Sequence, residues 1–492
     1  MIDRSTLMNC VGGEWRAANT GDTVPILNPA TGEFLAAMPL STSRDVDDAV
    51  QAASAAFRTW RMTPPGERIQ PLFKLKALLD SQVRELARII TAECGKTLTE
   101  SEAELRRGIE NVEVAAGIPS LMMGAALEDI AGGIDETMIR QPVGIVGVIT
   151  PFNFPAMIPL WFLPYAVACG NTVILKPSEK TPMTMNRILD LITEAGFPAG
   201  VVNLVNGGSE TVNAILDHPG IRAVSFVGST SVARYVYGRA AANGKRAQCQ
   251  GGARNPVVVL PDADLEMTCR IIADSAFGCA GQRCLASSVA IAVDTAFDKF
   301  SRTISETAAS RKVGCGLEAG VEMGPVISAQ SRERIESLIG GSLKGTTRAL
   351  VDGRGAKVSG YEAGHFIKPT VIADVESASD LAQTEVFGPV LSVLRASSLA
   401  GAIDIINQSA YGNMACLFTT SGSAARQFRH EVRAGNIGIN LGVAAPMAYF
   451  PFSGWKDSFF GDLHAQGRDA IEFFTEKKVI VERWPSEWTR KF

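Results

Sequence analysis

Past Arg140, short apolar runs alternate with segments of helical periodicity, and this alternation constrains the fold more than any other feature. The runs are rich in β-branched residues and are bounded by glycine, proline or asparagine; they are Ile145–Thr150, Thr172–Lys176, Val201–Val205 and Ala223–Val227. Helical patterns lie between them, at Thr184–Ala195 and Thr211–Leu216. The alternation predicts an α/β fold with a doubly wound parallel sheet, and a nucleotide site where the strands end.

One long stretch without charge needs a separate explanation. No charged residue occurs from Gln141 to Leu175, which is long enough to span a bilayer. The stretch also contains Pro142, Pro151, Pro155, Pro159 and Pro164. A helix exposed to lipid could not satisfy the backbone groups that so many prolines would free, so we predict the buried core of an α/β domain and no membrane partner.

The segments on either side of this core are also helical or extended. Val46, Val50, Phe57 and Trp60 fall on one helical face, with Ser43 as the predicted N-cap. Longer helical regions are predicted from Pro65 to Gly95 and around Glu102–Ala116. A second α/β unit is predicted to begin with the strand Val257–Leu260, to continue in a helix capped by Asp262–Asp264 that runs toward Ala280, and to extend to about Asn440. Lys477–Glu482 is predicted to form an exposed or subunit-pairing strand.

Composition excludes several classes of protein. The 492 residues carry a formal net charge of -4 and no basic stripe, which argues against nucleic acid as a partner. Nine cysteines without a repeating spacing indicate reduced thiols, and the first residues contain no apolar signal-peptide segment. Together these features predict a cytoplasmic protein of two or three domains.

The strongest local signal is FGCAGQRC (277–284), a glycine-containing loop that ends in a cysteine beside an arginine. A cationic neighbour lowers a thiol's pKa, so Arg283 is expected to favour a nucleophilic thiolate at Cys284. A buried structural cysteine fits the same pattern. The four histidines lie in no segment with a catalytic signature, and Cys279 and Cys284 lack the second ligand pair of a zinc site, so no metal is predicted.

Polar residues follow the predicted strands at the expected nucleotide edge. Asn153 comes just after the first strand, where its amide could stabilise an oxyanion, although an asparagine in a proline-rich turn is also common. Lys176 and Glu179 follow the next strand and could bind ribose hydroxyls, the carboxylate favouring NAD over NADP. Gly228 and Ser229 precede a helix whose N-terminus suits a pyrophosphate. Because GxGxxG is absent, this would be a variant dinucleotide site.

In this order, six segments resemble the aldehyde dehydrogenase superfamily over essentially the whole chain. They are TPFNFP (150–155), LKPSE (175–179), FVGST (226–230), NPVVVLPDADLE (255–266), FGCAGQRC (277–284) and EVFGPV (385–390). The resemblance implies an aldehyde dehydrogenase-like α/β fold in three parts. These are a Rossmann-type NAD-binding domain (1–128 and 147–255), an α/β catalytic domain (256–445), and oligomerisation elements, including a small flap (129–146 and 465–492). It also implies a homo-oligomer, either a dimer or a tetramer.

The same resemblance assigns roles to individual residues. Cys284 would attack the aldehyde and carry a thioester, while its own backbone N–H and the Asn153 amide hold the oxyanion. The residues expected to bind NAD are Thr150, Phe152, Lys176, Glu179, Lys180, Ser229, Gly251 and Glu385, with Glu385 on the nicotinamide ribose.

One departure from the family pattern concerns the fate of the thioester. Hydrolytic members carry Glu-Leu-Gly-Gly-Lys before the NPVVV segment, and the glutamate activates water. This chain has Gln250 in place of that glutamate and Arg254 in place of that lysine. An amide cannot accept a proton at neutral pH. A thiol such as coenzyme A needs less activation than water, so coenzyme A is the predicted co-substrate.

The segment Gly252-Ala253-Arg254 and residues 451–479 resemble the methylmalonate-semialdehyde dehydrogenase branch, which is CoA-acylating. That resemblance implies a small aldehyde with a β-carboxylate, bound by Arg107 and Arg283, and loss of carbon dioxide before acyl transfer. Arg254 and Pro256 differ from the branch's usual lysine and histidine. A non-acylating dehydrogenase of another anionic aldehyde therefore remains the alternative hypothesis.

Overall fold

The structure is a computed structural model that describes residues 6–484, so residues 1–5 and 485–492 of the predicted domains lie outside it. The strands, in chain order, are β1 Asn9–Val11, β2 Glu14–Arg16, β3 Thr23–Leu27, β4 Phe34–Pro39, β5 Ala125–Ala131, β6 Ile134–Pro142, β7 Ile145–Ile149, β8 Thr172–Lys176, β9 Val202–Leu204, β10 Ile221–Val227, β11 Arg246–Gln250, β12 Asn255–Val259, β13 Ser287–Val293, β14 Arg348–Val351, β15 Thr370–Ala373, β16 Val390–Ala396, β17 Tyr411–Gly412, β18 Met414–Phe418, β19 Asn436–Ile439, β20 Trp455–Lys456, β21 Phe459–Phe460 and β22 Thr475–Arg483.

The helices are α1 Ser43–Trp60, α2 Pro65–Arg68, α3 Gln70–Ser81, α4 Val83–Cys94, α5 Leu98–Ala115, α6 Ile118–Leu121, α7 Met157–Ala168, α8 Met183–Glu194, α9 Ser209–Asp217, α10 Thr230–Ala242, α11 Leu265–Phe277, α12 Ala296–Ala309, α13 Ala329–Ser342, α14 Asp380–Gln383, α15 Leu399–Gln408, α16 Gly422–Glu431 and α17 Gly467–Phe474. A short 3-10 turn, Gly278–Gly281, follows α11 directly.

The predicted α/β class is confirmed by a first sheet of eight strands in the order β2-β1-β9-β8-β7-β10-β11-β21. Its central strands are parallel, and all four predicted runs form strands there, β8 with the predicted bounds and the others with bounds shifted by one or two residues. β7 and β8 are buried along their whole length, which explains why they read as continuous apolar runs. The carboxyl ends of β7, β8 and β10 therefore share one edge of the sheet.

The charge-free stretch forms β7, α7 and β8, and these elements are buried, as predicted. Every α7 residue from Ile158 to Ala168 is buried, and Pro164 lies inside the helix. Within residues 6–484, no helix is long and apolar enough to cross a membrane.

Helix ends differ from the predictions where local capping decides them. The N-cap of α1 is Thr42, not Ser43, because Asp45 closes a capping box and accepts the Thr42 N–H at 2.8 Å. The predicted helical region from Pro65 to Gly95 is three helices, α2, α3 and α4. The helix predicted to run toward Ala280 ends at Phe277, and its N-cap is Asp264, which accepts from Met267 N.

A second sheet of seven strands, in the order β14-β15-β16-β13-β12-β18-β19, begins with β12, where the second α/β unit was predicted. A small third sheet has the order β22-β6-β5, and the predicted C-terminal strand lies within β22. The predicted flap (129–146) begins inside β5, since that strand starts at Ala125. The division of the chain into domains stays a prediction.

Candidate active site

Two cavities meet at Cys284. A cleft of about 950 Å³ runs along the carboxyl edge of the first sheet, and Cys284 lies in its wall. A smaller cavity of about 230 Å³ reaches the same cysteine from between α5, α7 and the loop that follows α11. The nucleophile predicted from the sequence is therefore open to two separate spaces.

The large cleft brings together all eight residues that the family resemblance assigned to NAD: Thr150, Phe152, Lys176, Glu179, Lys180, Ser229, Gly251 and Glu385. Asn153 lines it as well. The cleft also contains Arg334 and Phe387, which the sequence analysis did not identify, because α13 and the loop after α14 come from distant parts of the chain.

Lys176 and Glu179 form a charged pair at the end of β8. The Lys176 side chain is buried, and its Nζ lies 3.3 Å from Glu179 Oε2. Burial is the largest single effect on Glu179 and opposes its ionisation, but Lys176, the Glu179 backbone N–H and Lys180 together hold the pKa of the carboxyl below its usual value. An ionised carboxylate at this edge fits the hydroxyls of a ribose.

The N-terminus of α10 fits a pyrophosphate. Ser229 is its N-cap, yet no side chain within the described chain caps the helix, so its first backbone N–H groups are available to a ligand. A Cβ at Gly228 would lie 2.5 Å from the Phe226 ring, so glycine is needed where β10 meets the helix. With the charged pair at β8, this arrangement fits a dinucleotide.

Glu385 faces the cleft from the other side, close to the glycines that follow β11. Its Oε1 accepts from Ala253 N at 2.8 Å, and a Cβ at Gly252 would lie 2.3 Å from its Oε2. Burial raises the pKa of Glu385 to about 7, against smaller opposing effects of the Ala253 N–H, Arg334 and Arg254.

The loop that carries Cys284, the predicted nucleophile, is strained and held at several points. Cys279, Ala280 and Gly281 have φ values of 50°, 52° and 70°, so three consecutive residues are left-handed. For the two that are not glycine, this costs roughly 1–2 kcal/mol each. The Cys284 carbonyl accepts from Asn255 Nδ2 and Asn413 Nδ2, each at 2.9 Å. These contacts hold Cys284 in place although residues 279–281 of its loop are strained.

The thiol itself is not activated in the way the sequence suggested. Cys284 is partly buried, and desolvation raises the pKa of its thiol to about 12, with a further contribution from Glu385. The backbone N–H groups of Cys284 and Leu285, and Arg283, act in the opposite direction but are outweighed. The expectation that Arg283 would produce a thiolate is therefore wrong for this state, because its guanidinium contacts Cys279 Sγ instead, at 3.2 Å.

Asn153 is anchored by a buried ion pair that sequence reasoning missed. Its side-chain Nδ2 donates to Gln282 O at 2.9 Å, and its backbone carbonyl accepts from Lys96 Nζ at 2.5 Å. Lys96 pairs with Glu104 at 2.7 Å, and both side chains are almost fully buried. Glu104 also accepts from the first N–H groups of the α7 region. The sequence offers one sign of this ion pair, which is that Glu104 lies on the apolar face of α5.

Both predicted substrate-binding arginines line the small cavity with Cys284. Arg107 pairs with Glu110 at 3.0 Å and donates to Pro446 O at 2.5 Å. Arg283 pairs with Glu100 at 3.2 Å. Apolar side chains, including Phe154, Trp161 and Phe452, form much of the remaining wall.

Gln250 and Arg254, the two departures in the glycine-rich segment, have different surroundings. Gln250 is buried, and Nε2 donates weakly to Phe452 O at 3.4 Å, while Oε1 has no partner among residues 6–484. Arg254 donates to backbone carbonyls of Leu381, Ala382 and Ser288. Its guanidinium therefore binds the neighbouring backbone, and Arg254 does not line the small cavity.

Comparisons with known proteins agree with this geometry. Residues 15–480 match the model of the Aldehyde dehydrogenase family. The chain is 49% identical over 479 residues to malonate-semialdehyde dehydrogenase 2 of Geobacillus kaustophilus (strain HTA426), covering 97% of this chain and 99% of that protein. It is 48% identical over 478 residues to malonate-semialdehyde dehydrogenase of Halalkalibacterium halodurans, covering 97% and 98%.

Solved structures give the same result. A protein of Sinorhizobium meliloti 1021, assigned as a methylmalonate-semialdehyde dehydrogenase and complexed with NAD, superimposes with a TM-score of 0.97 at 43% identity, covering 99% of each chain. The methylmalonate-semialdehyde dehydrogenase of Oceanimonas doudoroffii gives a TM-score of 0.96 at 43% identity, covering 98% of this chain and 99% of that one.

Proposed function

Because the chain belongs to the aldehyde dehydrogenase family, we propose that it oxidises malonate semialdehyde or methylmalonate semialdehyde with NAD and transfers the acyl group to coenzyme A. The products would be acetyl-CoA or propionyl-CoA, carbon dioxide and NADH. The names of the similar proteins support this substrate class, and the arginines beside Cys284 supply the charge that such a substrate requires.

Cys284 carries the covalent step. Its thiol must first lose a proton, since burial raises its pKa to about 12, and the sulfur then attacks the aldehyde carbon. The developing oxyanion would be stabilised by the Cys284 N–H and the Asn153 amide. The eight residues of the large cleft would hold NAD, which would supply the hydride acceptor.

The small cavity selects the substrate. Its volume of about 230 Å³ suits a short aldehyde, and Arg107 and Arg283 can bind a β-carboxylate through guanidinium N–H groups. After oxidation, this carboxylate leaves as carbon dioxide. The electrons of the broken C–C bond remain on the adjacent carbon as a thioester enolate, which then takes up a proton.

The observation that carries the acylating assignment is Gln250. An amide at this position cannot deprotonate water. Glu100 and Glu104, the carboxylates in the wall of the small cavity, are already paired with Arg283 and Lys96. The thioester on Cys284 would therefore persist until a thiol attacks it.

Glu385 gives the alternative function a specific basis. It lines the same cleft as Cys284, and burial raises its pKa to about 7, which is suitable for a general base. A Glu385-assisted hydrolysis would make the chain a non-acylating dehydrogenase that releases the free acid.

Steady-state turnover with NAD and malonate semialdehyde, with and without coenzyme A, separates these two functions. We expect sustained NADH production only with coenzyme A, and acetyl-CoA in stoichiometric amount by mass spectrometry. Equal turnover without coenzyme A, with the free acid as the product, would establish hydrolysis instead.

We also infer a homo-oligomer in the cytoplasm. The outer sheet β22-β6-β5 exposes large apolar side chains, namely Leu127, Ile130, Ile139, Val479 and Val481, and such a surface fits a second copy of the chain. All nine cysteines are free thiols, as a reducing compartment requires. Light scattering on the purified protein would distinguish a dimer or tetramer from a monomer.

A further inference from the structure

Glu100 is an acid in the wall of the small cavity to which neither the family motifs nor the proposed mechanism assigns a function of its own. It occupies the first turn of α5, where Oε2 accepts from Thr97 N at 2.9 Å and closes a capping box. Its Oε1 accepts from Cys279 N at 2.6 Å and from Arg283 Nη2 at 3.2 Å. One carboxylate thus connects a helix start, the strained nucleophile loop and a predicted substrate arginine.

Arg283 is held close to its own loop by these contacts. Its Nε donates to Cys279 Sγ at 3.2 Å, and the guanidinium atoms would lie 2.8 Å from a Cβ at Gly278, so the group lies against that glycine. A guanidinium has five N–H donors, and Nη1 of Arg283 has no hydrogen-bond partner among the described residues. Donors therefore remain for a ligand in the cavity that Arg283 lines.

The charges around the cavity are balanced before any substrate enters. Arg107 is paired with Glu110, and Arg283 with Glu100. Of these two carboxylates, Glu100 lines the cavity and Glu110 does not. An incoming carboxylate at Arg283 would consequently lie close to the negative charge of Glu100.

We propose that Glu100 determines how strongly the cavity binds carboxylated aldehydes, by acting as the resident counter-ion of Arg283. This inference rests on the proposed function, in which Arg283 binds the substrate carboxylate. Without a substrate, Glu100 keeps a partly buried guanidinium paired and oriented. With a substrate, its charge repels the second carboxylate and limits affinity. A weakened hold of Arg283 on the substrate carboxylate suits a reaction in which that carboxylate leaves as neutral carbon dioxide.

The decisive variant is Glu100→Gln, which keeps the size and one of the two acceptor oxygens but removes the charge. We expect the KM for malonate semialdehyde to fall about fivefold, because the substrate carboxylate would no longer be repelled by the negative charge of Glu100. The inhibition constant of 3-hydroxypropanoate, an unreactive carboxylate of the same length, should fall by a similar factor. The KM for propanal, which has no carboxylate, should change far less. Glu102→Gln, two residues further along α5 and outside the cavity, is the matched charge control and should alter none of these values.

Glu100→Ala separates charge from positioning. It also removes the acceptor for Cys279 N, so we expect kcat to fall for both aldehydes. An unchanged or weaker affinity of Glu100→Gln for both malonate semialdehyde and 3-hydroxypropanoate would overturn the proposal. Failure of the proposed function looks different: the unmodified protein would then oxidise propanal as efficiently as malonate semialdehyde, and Arg283→Ala would affect both equally.

Discussion

At the scale of single residues, the environment of Cys284 contradicts the simplest reading of its sequence. The adjacent Arg283 suggests a lowered thiol pKa at Cys284. The direction of a side chain matters more than its distance along the sequence, however, and the Arg283 guanidinium donates to Cys279 and Glu100. Desolvation then dominates and raises the pKa. The resting protein should hold its nucleophile as a thiol, which protects it from side reactions until ligands enter.

This state of Cys284 is measurable by alkylation. Only the thiolate reacts with iodoacetamide, so a pKa of about 12 predicts a rate at Cys284 that keeps rising between pH 7 and pH 10 in the absence of NAD. Peptide mass spectrometry would assign the label, with Cys284→Ser as the control. A rate that reaches a plateau near pH 8 would show that the thiol is already activated.

At the scale of elements, α5 organises the site, because Glu100, Glu104 and Arg107 all project from it into the wall of the small cavity. Periodicity predicts a helix here, and the structure has one. It cannot predict that two of the glutamates pair with Lys96 and Arg283, since Lys96 lies in the loop before the helix and Arg283 lies far along the chain. The strands of the first sheet were more predictable because burial on both faces leaves continuous apolar runs.

The Lys96–Glu104 pair gives a test of stability at this scale. Lys96→Met leaves Glu104 buried without its cation, and breaking such a pair costs about 3–5 kcal/mol of unfolding free energy. Lys76→Met, which removes exposed pairs with Asp80 and Glu113, is the control and should have little effect in urea denaturation. A loss no larger than that of the control would mean that the pair does not anchor the Asn153 loop.

At the scale of the whole molecule, the cofactor cleft was predictable and the electrostatics were not. Seven of the eight residues expected to bind NAD lie at or just after the carboxyl ends of β7, β8, β10 and β11, where a parallel sheet places them together, whereas Glu385 lies in the loop after α14 and could be assigned only from the family resemblance. The pKa values of buried acids depend on the complete fold. Burial raises the pKa of both Glu93 and Glu385 from 4.5 to about 7.

These two acids predict how stability changes with pH. A raised folded-state pKa means that the folded protein binds a proton more tightly than the unfolded chain does. The stabilisation is thus fully present below pH 4.5 and is lost as the pH rises through about 7. In the absence of NAD, the unfolding free energy of Glu385→Gln should decline less between pH 5 and pH 8 than that of the unmodified protein. Parallel declines would contradict the assigned pKa of Glu385.

The central claim is that the acyl-enzyme waits for a thiol because position 250 offers an amide in place of a base. The most direct measurement is the amount of NADH formed by a known quantity of protein with NAD and malonate semialdehyde, before any coenzyme A is added. We predict a rapid burst of at most one equivalent per Cys284, followed by a stall that coenzyme A relieves at once. Continuous NADH formation with accumulation of free acid would contradict the account.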